Sequence, residues 1–265
     1  MKELGDFKIM KYLFGILCLS ILISCNAQSQ KLVWEENFDG DVLNNAIWNY
    51  ELGDGCPNLC GWGNNELQLY TKTNHFLKDG KLIIIARKQD SIYTSTRITT
   101  KAKKEFRYGN IEVRAKLPIG RGLWPAFWML GANIDQVNWP DCGEIDILEY
   151  VGKEPKTIYT SLHTKDSHGN TINTKKTIID DIETGFHLFS VNWTADKIEF
   201  FVDATLIYTF SPEDKTEDIW PFDQPFYIII NLAIGGNFGG PEVDDSIFPQ
   251  EFIIDYIKVY QKRKN

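Results

Sequence analysis

From residue 31 onward, apolar side chains recur at every second position in short runs, and this period of two constrains the fold more than any other feature. Ile111, Val113, Ala115 and Leu117 alternate with Glu112, Arg114 and Lys116, and Ile198, Phe200 and Val202 alternate with Glu199, Phe201 and Asp203. Further runs lie at 82–86, 145–151, 158–162, 189–193, 226–232 and 252–259, rich in Ile, Val, Phe and Tyr and separated by Gly, Asn, Asp and Pro clusters. No segment longer than about ten residues keeps a helical period. Many short strands without intervening helices predict an all-β chain: a sandwich, jelly roll or barrel. No solenoid or propeller repeat is present. The chain has 265 residues, a length that large sandwiches reach as one domain, so residues 31–265 are read as one.

The start of the chain reads as an address. Residues 12–24 are a short apolar stretch preceded by Lys8 and Lys11, too short to span a bilayer and typical of a secretory signal. Its end, Leu22-Ile23-Ser24-Cys25, resembles the bacterial lipobox. Residues 1–24 are therefore expected to be a lipoprotein signal peptide, with translation starting at Met1 or Met10. Cys25 is expected to carry the lipid, and residues 25–30 to be a polar tether. The expected location is that of an exported bacterial lipoprotein anchored in a membrane. Beyond the signal no apolar run is long enough to span a bilayer. A net charge of −8 argues against a nucleic-acid partner.

Three cysteines remain in the body, Cys56, Cys60 and Cys142, enough for one pair and one free thiol. Export favours a disulfide. Cys56 and Cys60 are close in sequence, but either could pair with Cys142. No His or fourth Cys stands at zinc-ligand spacing.

Acid is concentrated in Asp141-Cys142-Gly143-Glu144-Ile145-Asp146-Ile147-Leu148-Glu149-Tyr150. Glu144 and Asp146, two apart on a strand, share a face. Glu149 would point the other way on a regular strand, and a carboxylate driven into the core is very costly. A β-bulge near Ile147-Leu148 returns it to the face of the other two. The outer Cα atoms then lie about 13 Å apart. Glutamates leaning inward bring their carboxyls to about 5 Å, the separation of a retaining glycosidase. One acts as nucleophile and the other as acid and then base, while Asp146 between them helps keep one proton in the cluster at neutral pH. Standing alone, the pattern also fits a solvated strand face or calcium ligands.

Just upstream, Gly120-Arg121-Gly122-Leu123-Trp124-Pro125-Ala126-Phe127-Trp128-Met129-Leu130-Gly131 places two tryptophans four apart on one strand face. Flat indoles stack on the apolar faces of sugar rings; core packing is the bland alternative.

Together these residues resemble glycoside hydrolase family 16, in its laminarinase-like branch. The resemblance covers residues 31–262 and also rests on Trp34-Glu35-Glu36-Asn37-Phe38, Gly61-Trp62-Gly63-Asn64-Asn65-Glu66-Leu67-Gln68, Tyr93–Ile98, Asn231–Asn237 and Ile254–Tyr260. It implies a β-jelly roll of two antiparallel sheets with a substrate cleft across the concave one. Carried over, it makes Glu144 the nucleophile, Asp146 its assistant and Glu149 the acid/base. It places Asn64, Arg97, Trp124, Trp128, His163 and Asn231 in or near the cleft; a structural hydrogen bond is the equal alternative for His163. It implies no cofactor for the chemistry, a structural calcium near Glu36, Gly80 and Asp255 partly through backbone oxygens, and a monomer acting on β-glucan. The chain has Phe238 where the family commonly has Trp, which puts one stacking contact in doubt. The rivals are a mixed-linkage β-1,3/1,4-glucanase, a galactanase cutting agar- or carrageenan-type chains, and a non-catalytic glycan-binding lipoprotein.

Overall fold

The structure, a computed structural model, describes residues 30–262. The expected signal peptide, Cys25 and all of the expected tether but Gln30 lie outside the described residues.

Two sheets face each other across one core. The first runs, edge to edge, through Thr174–Ile178, Thr157–His163, Glu144–Tyr150, Leu123–Gly131, Phe226–Ile234, Arg97–Thr99 and Asn49–Glu51, with Glu105–Phe106 also pairing Phe226–Ile234. The second runs Thr205–Phe210, Ile198–Val202, His187–Trp193, Gly109–Lys116, Gln250–Lys262, Leu82–Gln89, Ile92–Ser95 and Gln68–Tyr70, with Gln30–Glu36 beside Gln250–Lys262 and His75–Leu77 beside Leu82–Gln89. Pairings are antiparallel apart from Gln68–Tyr70 with Ile92–Ser95. Sequence neighbours are often far apart in the sheets, as in a jelly roll: Gly109–Lys116 lies between His187–Trp193 and Gln250–Lys262.

The alternation read from the sequence is the packing rule. Ile111, Val113 and Ala115 of one sheet meet Phe127, Met129, Ile145, Ile228 and Ile230 of the other in one buried cluster. Each such aliphatic side chain, fully buried, contributes about 1.5–3 kcal/mol. Phe226–Ile234 is buried at all nine positions, because its second face is covered as well. That is why this strand shows a nearly continuous apolar run instead of an alternation.

Cys56 and Cys60 form the disulfide, and Cys142 is a buried free thiol. Burial, helped by the charge of Glu144, pushes the Cys142 thiol up to about 12, which removes it from thiolate chemistry near neutral pH.

Candidate active site

The acidic strand Glu144–Tyr150 sits inside the first sheet, between Leu123–Gly131 and Thr157–His163. Toward the first neighbour, Ala126 pairs with Glu149 and Phe127 with Leu148, but Trp128 pairs with Asp146. Toward the other, Asp146 pairs with Ser161 while Glu149 pairs with Tyr159. Both neighbours skip one residue at the same place, so the strand carries a β-bulge, with Ile147 as the extra residue. Ile145, Ile147, Leu148 and Tyr150 enter the core between the sheets. Glu144, Asp146 and Glu149 are left together on the outer face.

Each acid has its own surroundings. Glu144 Oε2 accepts the indole N–H of Trp139 at 2.9 Å. Its Oε1 lies 3.7 Å from His163 Nε2, and the same nitrogen is 3.2 Å from Asp146 Oδ2. Glu149 Oε1 accepts the indole N–H of Trp124 at 3.1 Å. Burial drives the Asp146 carboxyl well above the usual range; the charge of Glu144 and a hydrogen bond to it push the same way. Burial is also the main reason that Glu149 titrates well above a free glutamate, with Asp146 and Glu144 raising it further and His163 and Trp124 pulling it back. Negative charge is therefore disfavoured at Asp146 and Glu149.

Trp124 and Trp128 share the outer face as their spacing demanded. Trp124 meets Phe238 edge to face at 5.4 Å, and Phe238 meets Tyr159 at 4.9 Å, so Phe238 closes an aromatic corner beside Glu149. Trp128 donates its N–H to Asn231 Oδ1 at 2.8 Å. Arg97, in the strand that pairs with Asn231, is buried in an ion pair with Glu51. Its guanidinium lies 4.6 Å from the Trp62 ring and 5.0 Å from the Trp128 ring. Asn64 reaches this wall through Glu66, which its Nδ2 approaches at 3.4 Å.

His163, Trp124, Trp128, Arg97 and Asn231 thus gather around the acidic strand, with Asn64 one residue removed. Sequence reasoning missed Trp139 and the buried Glu66 and Tyr70. Trp139-Pro140 stands directly ahead of the acidic strand, and Glu66 lies inside one of the family-like segments. Position alone was their only signal.

The side chains of the expected calcium site already have partners. Both Glu36 oxygens already accept hydrogen bonds, from Phe38 N at 3.0 Å and Trp48 Nε1 at 3.1 Å. The Asp255 carboxylate is taken by Arg114 and, at 3.7 Å, by Lys81. A cation at Glu36, Gly80 and Asp255 would share these carboxylates with their present partners or rest on backbone oxygens. Among the described residues, the one group of three metal-ligating side chains close together is Glu144, Asp146 and His163.

Comparison with known proteins gives the family and the fold. A β-glucanase of Rhodothermus marinus is 39% identical over 92% of this chain and 92% of its own length. A crystal structure of a laminarinase from Flavobacterium sp. UMI-01 superposes with a TM-score of 0.86 at 72% identity, covering 87% of this chain and all of that one. The laminarinase catalytic domain from Thermotoga maritima MSB8 superposes at 0.83 with 42% identity, over 89% of this chain and 99% of its own. The profile of glycosyl hydrolases family 16 matches residues 63–257. This chain belongs to glycosyl hydrolases family 16.

Proposed function

We propose that the protein is an endo-acting β-glucanase that cleaves β-1,3-glucan such as laminarin, mixed-linkage β-1,3/1,4-glucan, or both, with retention of anomeric configuration. The observation that carries the reading is the bulged strand, which puts Glu144, Asp146 and Glu149 on one face, with burial favouring the proton-bearing form of Glu149. Glu144 attacks the anomeric carbon while Glu149 gives its proton to the departing glycosidic oxygen. The covalent glycosyl ester on Glu144 is then hydrolysed by a water that loses its proton to Glu149. Asp146 lies beside Glu144 and helps orient it, Trp139 holds one Glu144 oxygen, and His163 stands 3.7 Å from the other. Trp124, Phe238 and Tyr159 offer ring faces beside Glu149, and Trp128, Arg97 and Asn231 a second wall. The chemistry needs no cofactor. A calcium near Glu36, Gly80 and Asp255, held by backbone oxygens, would act on stability alone.

The relatives named above support the substrate class. Hydrolysis of laminarin, barley β-glucan and agarose with product analysis tests it. Oligosaccharides from either glucan are expected, and their ratio sets the linkage preference. Products from agarose alone point to the galactanase reading. No product from any of the three, with tight binding retained, points to a glycan-binding protein.

The Leu22–Cys25 segment supports a second part of the proposal, a lipid anchor on Cys25 that holds the enzyme, from residue 31 onward, at a membrane outside the cytoplasm. Several acyl chains anchor firmly where one does so only marginally. Cys25→Ser is expected to leave an unprocessed or soluble protein; unchanged mass and fractionation contradict the anchor.

A further inference from the structure

Glu66 is a buried acid that the two-carboxylate chemistry does not use. It lies in the loop before Gln68–Tyr70, and its carboxylate is the end point of several donors. Gln68 Oε1 accepts the backbone N–H of Ile234 at 2.7 Å, which turns its Nε2 toward Glu66 Oε2, also at 2.7 Å. Tyr70, fully enclosed, donates its hydroxyl to the same oxygen at 3.0 Å.

A phenol has one proton. With that proton directed at Glu66, the Tyr70 oxygen can only accept, so Asn231 must present its Nδ2, which it does at 3.2 Å. The Asn231 carbonyl is thereby turned toward Trp128, whose indole N–H can only donate and does so at 2.8 Å. The chain Trp128–Asn231–Tyr70–Glu66 has a pure donor at one end and a carboxylate at the other, and a single proton arrangement satisfies every link. Trp128 also borders Arg97, which contacts Trp62 from the Glu66 loop.

We propose that Glu66 and Tyr70 are positioning residues: by directing the hydroxyl of Tyr70 they fix the orientation of the Asn231 carboxamide, and through it the Trp128 wall that grips the glucan. Neither touches the reacting atoms. Their effect belongs to substrate binding more than to bond cleavage, and it passes through Asn231. The inference rests on the glucanase reading, because glucan is the occupant of that wall.

Tyr70→Phe keeps the ring and its packing against Trp62 while removing both hydrogen bonds of the hydroxyl. On laminarin or barley β-glucan we expect KM to rise ~10-fold with kcat changed less than about threefold. In an Asn231→Ala background, the same substitution is expected to change kcat/KM less than about twofold, because the group it acts through is gone. Glu66→Gln, which can donate to Tyr70 and release its proton direction, is expected to follow Tyr70→Phe in both backgrounds and serves if Tyr70→Phe does not fold. Equal losses with and without Asn231, or an unchanged KM, overturn the inference. An unmodified protein with no activity on either glucan overturns the proposed function and this inference together; an active one with additive losses overturns only the inference.

Discussion

Trp139 donates its indole N–H to Glu144 Oε2 while its ring stays 43% exposed. The contact is therefore made for the carboxylate and not for the core. Its edge-to-face partner His168 and the nearby His163 ring hold the indole in place. A hydrogen bond to a charged group contributes about 1.5–3 kcal/mol. Trp139→Phe keeps the ring and removes only the donor, so kcat/KM on laminarin should fall by about ten- to a hundredfold. The fold should survive with a melting temperature lower by at most several degrees. Steady-state kinetics beside a thermal melt checks both; an unchanged kcat/KM would contradict a role for the N–H at Glu144.

The bulge makes a less intuitive prediction. Deleting Ile147 leaves Asp146, Leu148 and Glu149 in plain alternation, so Glu149 stays on the outer face, and both neighbouring registers lose their one-residue slip. The deletion removes one core side chain and shortens the spacing between the glutamates, so reduced but measurable activity is expected. Inserting one alanine between Leu148 and Glu149 instead turns Glu149 toward the core and should abolish activity and destabilise the fold by several kcal/mol. Activity and denaturation curves of the two variants distinguish the cases.

Much of this site was legible in the sequence because the cost of burying a carboxylate leaves few choices. Glu144-Ile145-Asp146-Ile147-Leu148-Glu149 places all three acids on one face only with an extra residue near Ile147, and that is where the register slips. Trp124 and Trp128 followed from period two. What stayed hidden depends on contacts that no local pattern encodes. Asn231 and Tyr70 are 161 residues apart and meet only because the edge strand Gln68–Tyr70 of one sheet is brought against the interior strand Phe226–Ile234 of the other. The strands Asn49–Glu51 and Arg97–Thr99 are too short to show a period. Trp139 reaches Glu144 through the conformation of the loop ahead of the acidic strand. The choice of Cys56 with Cys60 over Cys142 follows from Cys142 being buried at the end of that same loop.

The pH dependence of catalysis should follow Glu149. Burial first, and the charges of Asp146 and Glu144 after it, keep its proton bound to higher pH than in a free glutamate. The acid form is the one that assists departure, so the alkaline limb of the kcat profile reports its ionisation. Trp124 stabilises the carboxylate form through its N–H. Trp124→Phe should therefore move the alkaline limb to higher pH; a shift to lower pH would contradict the assignment of Glu149 as the acid.

Stability carries a separate pH signature. His187 Nδ1 lies 2.6 Å from Asp203 Oδ2, and its Nε2 faces the carbonyls of Asp181 and Thr184 at 3.0 Å each. Both ring nitrogens thus face acceptors. Burial opposes the imidazolium, but Asp203 and the two carbonyls outweigh it and raise its pKa. A raised folded-state pKa means that the stabilisation is complete below the unfolded value of about 6.5 and is lost as pH climbs through the folded value. Denaturation midpoints should fall over that window in the parent and stay flatter in His187→Gln. A parent whose midpoint rises across the same window would contradict a charged His187.

The division of labour between the two glutamates is the central claim, and azide rescue tests it most directly. Glu149→Gln lacks the acid and the base but keeps the nucleophile. An aryl β-glucoside long enough to fill the cleft, with a leaving group that departs as an anion, should still form the glycosyl ester, and azide, which needs no base, should release it as the β-glycosyl azide. Glu144→Gln cannot form the ester, so azide should yield no product or only the α-azide from direct attack. Product configuration by proton NMR reads the outcome. The account predicts β-azide from Glu149→Gln alone; β-azide from Glu144→Gln with an inert Glu149→Gln would reverse the roles, and near-normal polysaccharide cleavage by either variant would place the chemistry elsewhere.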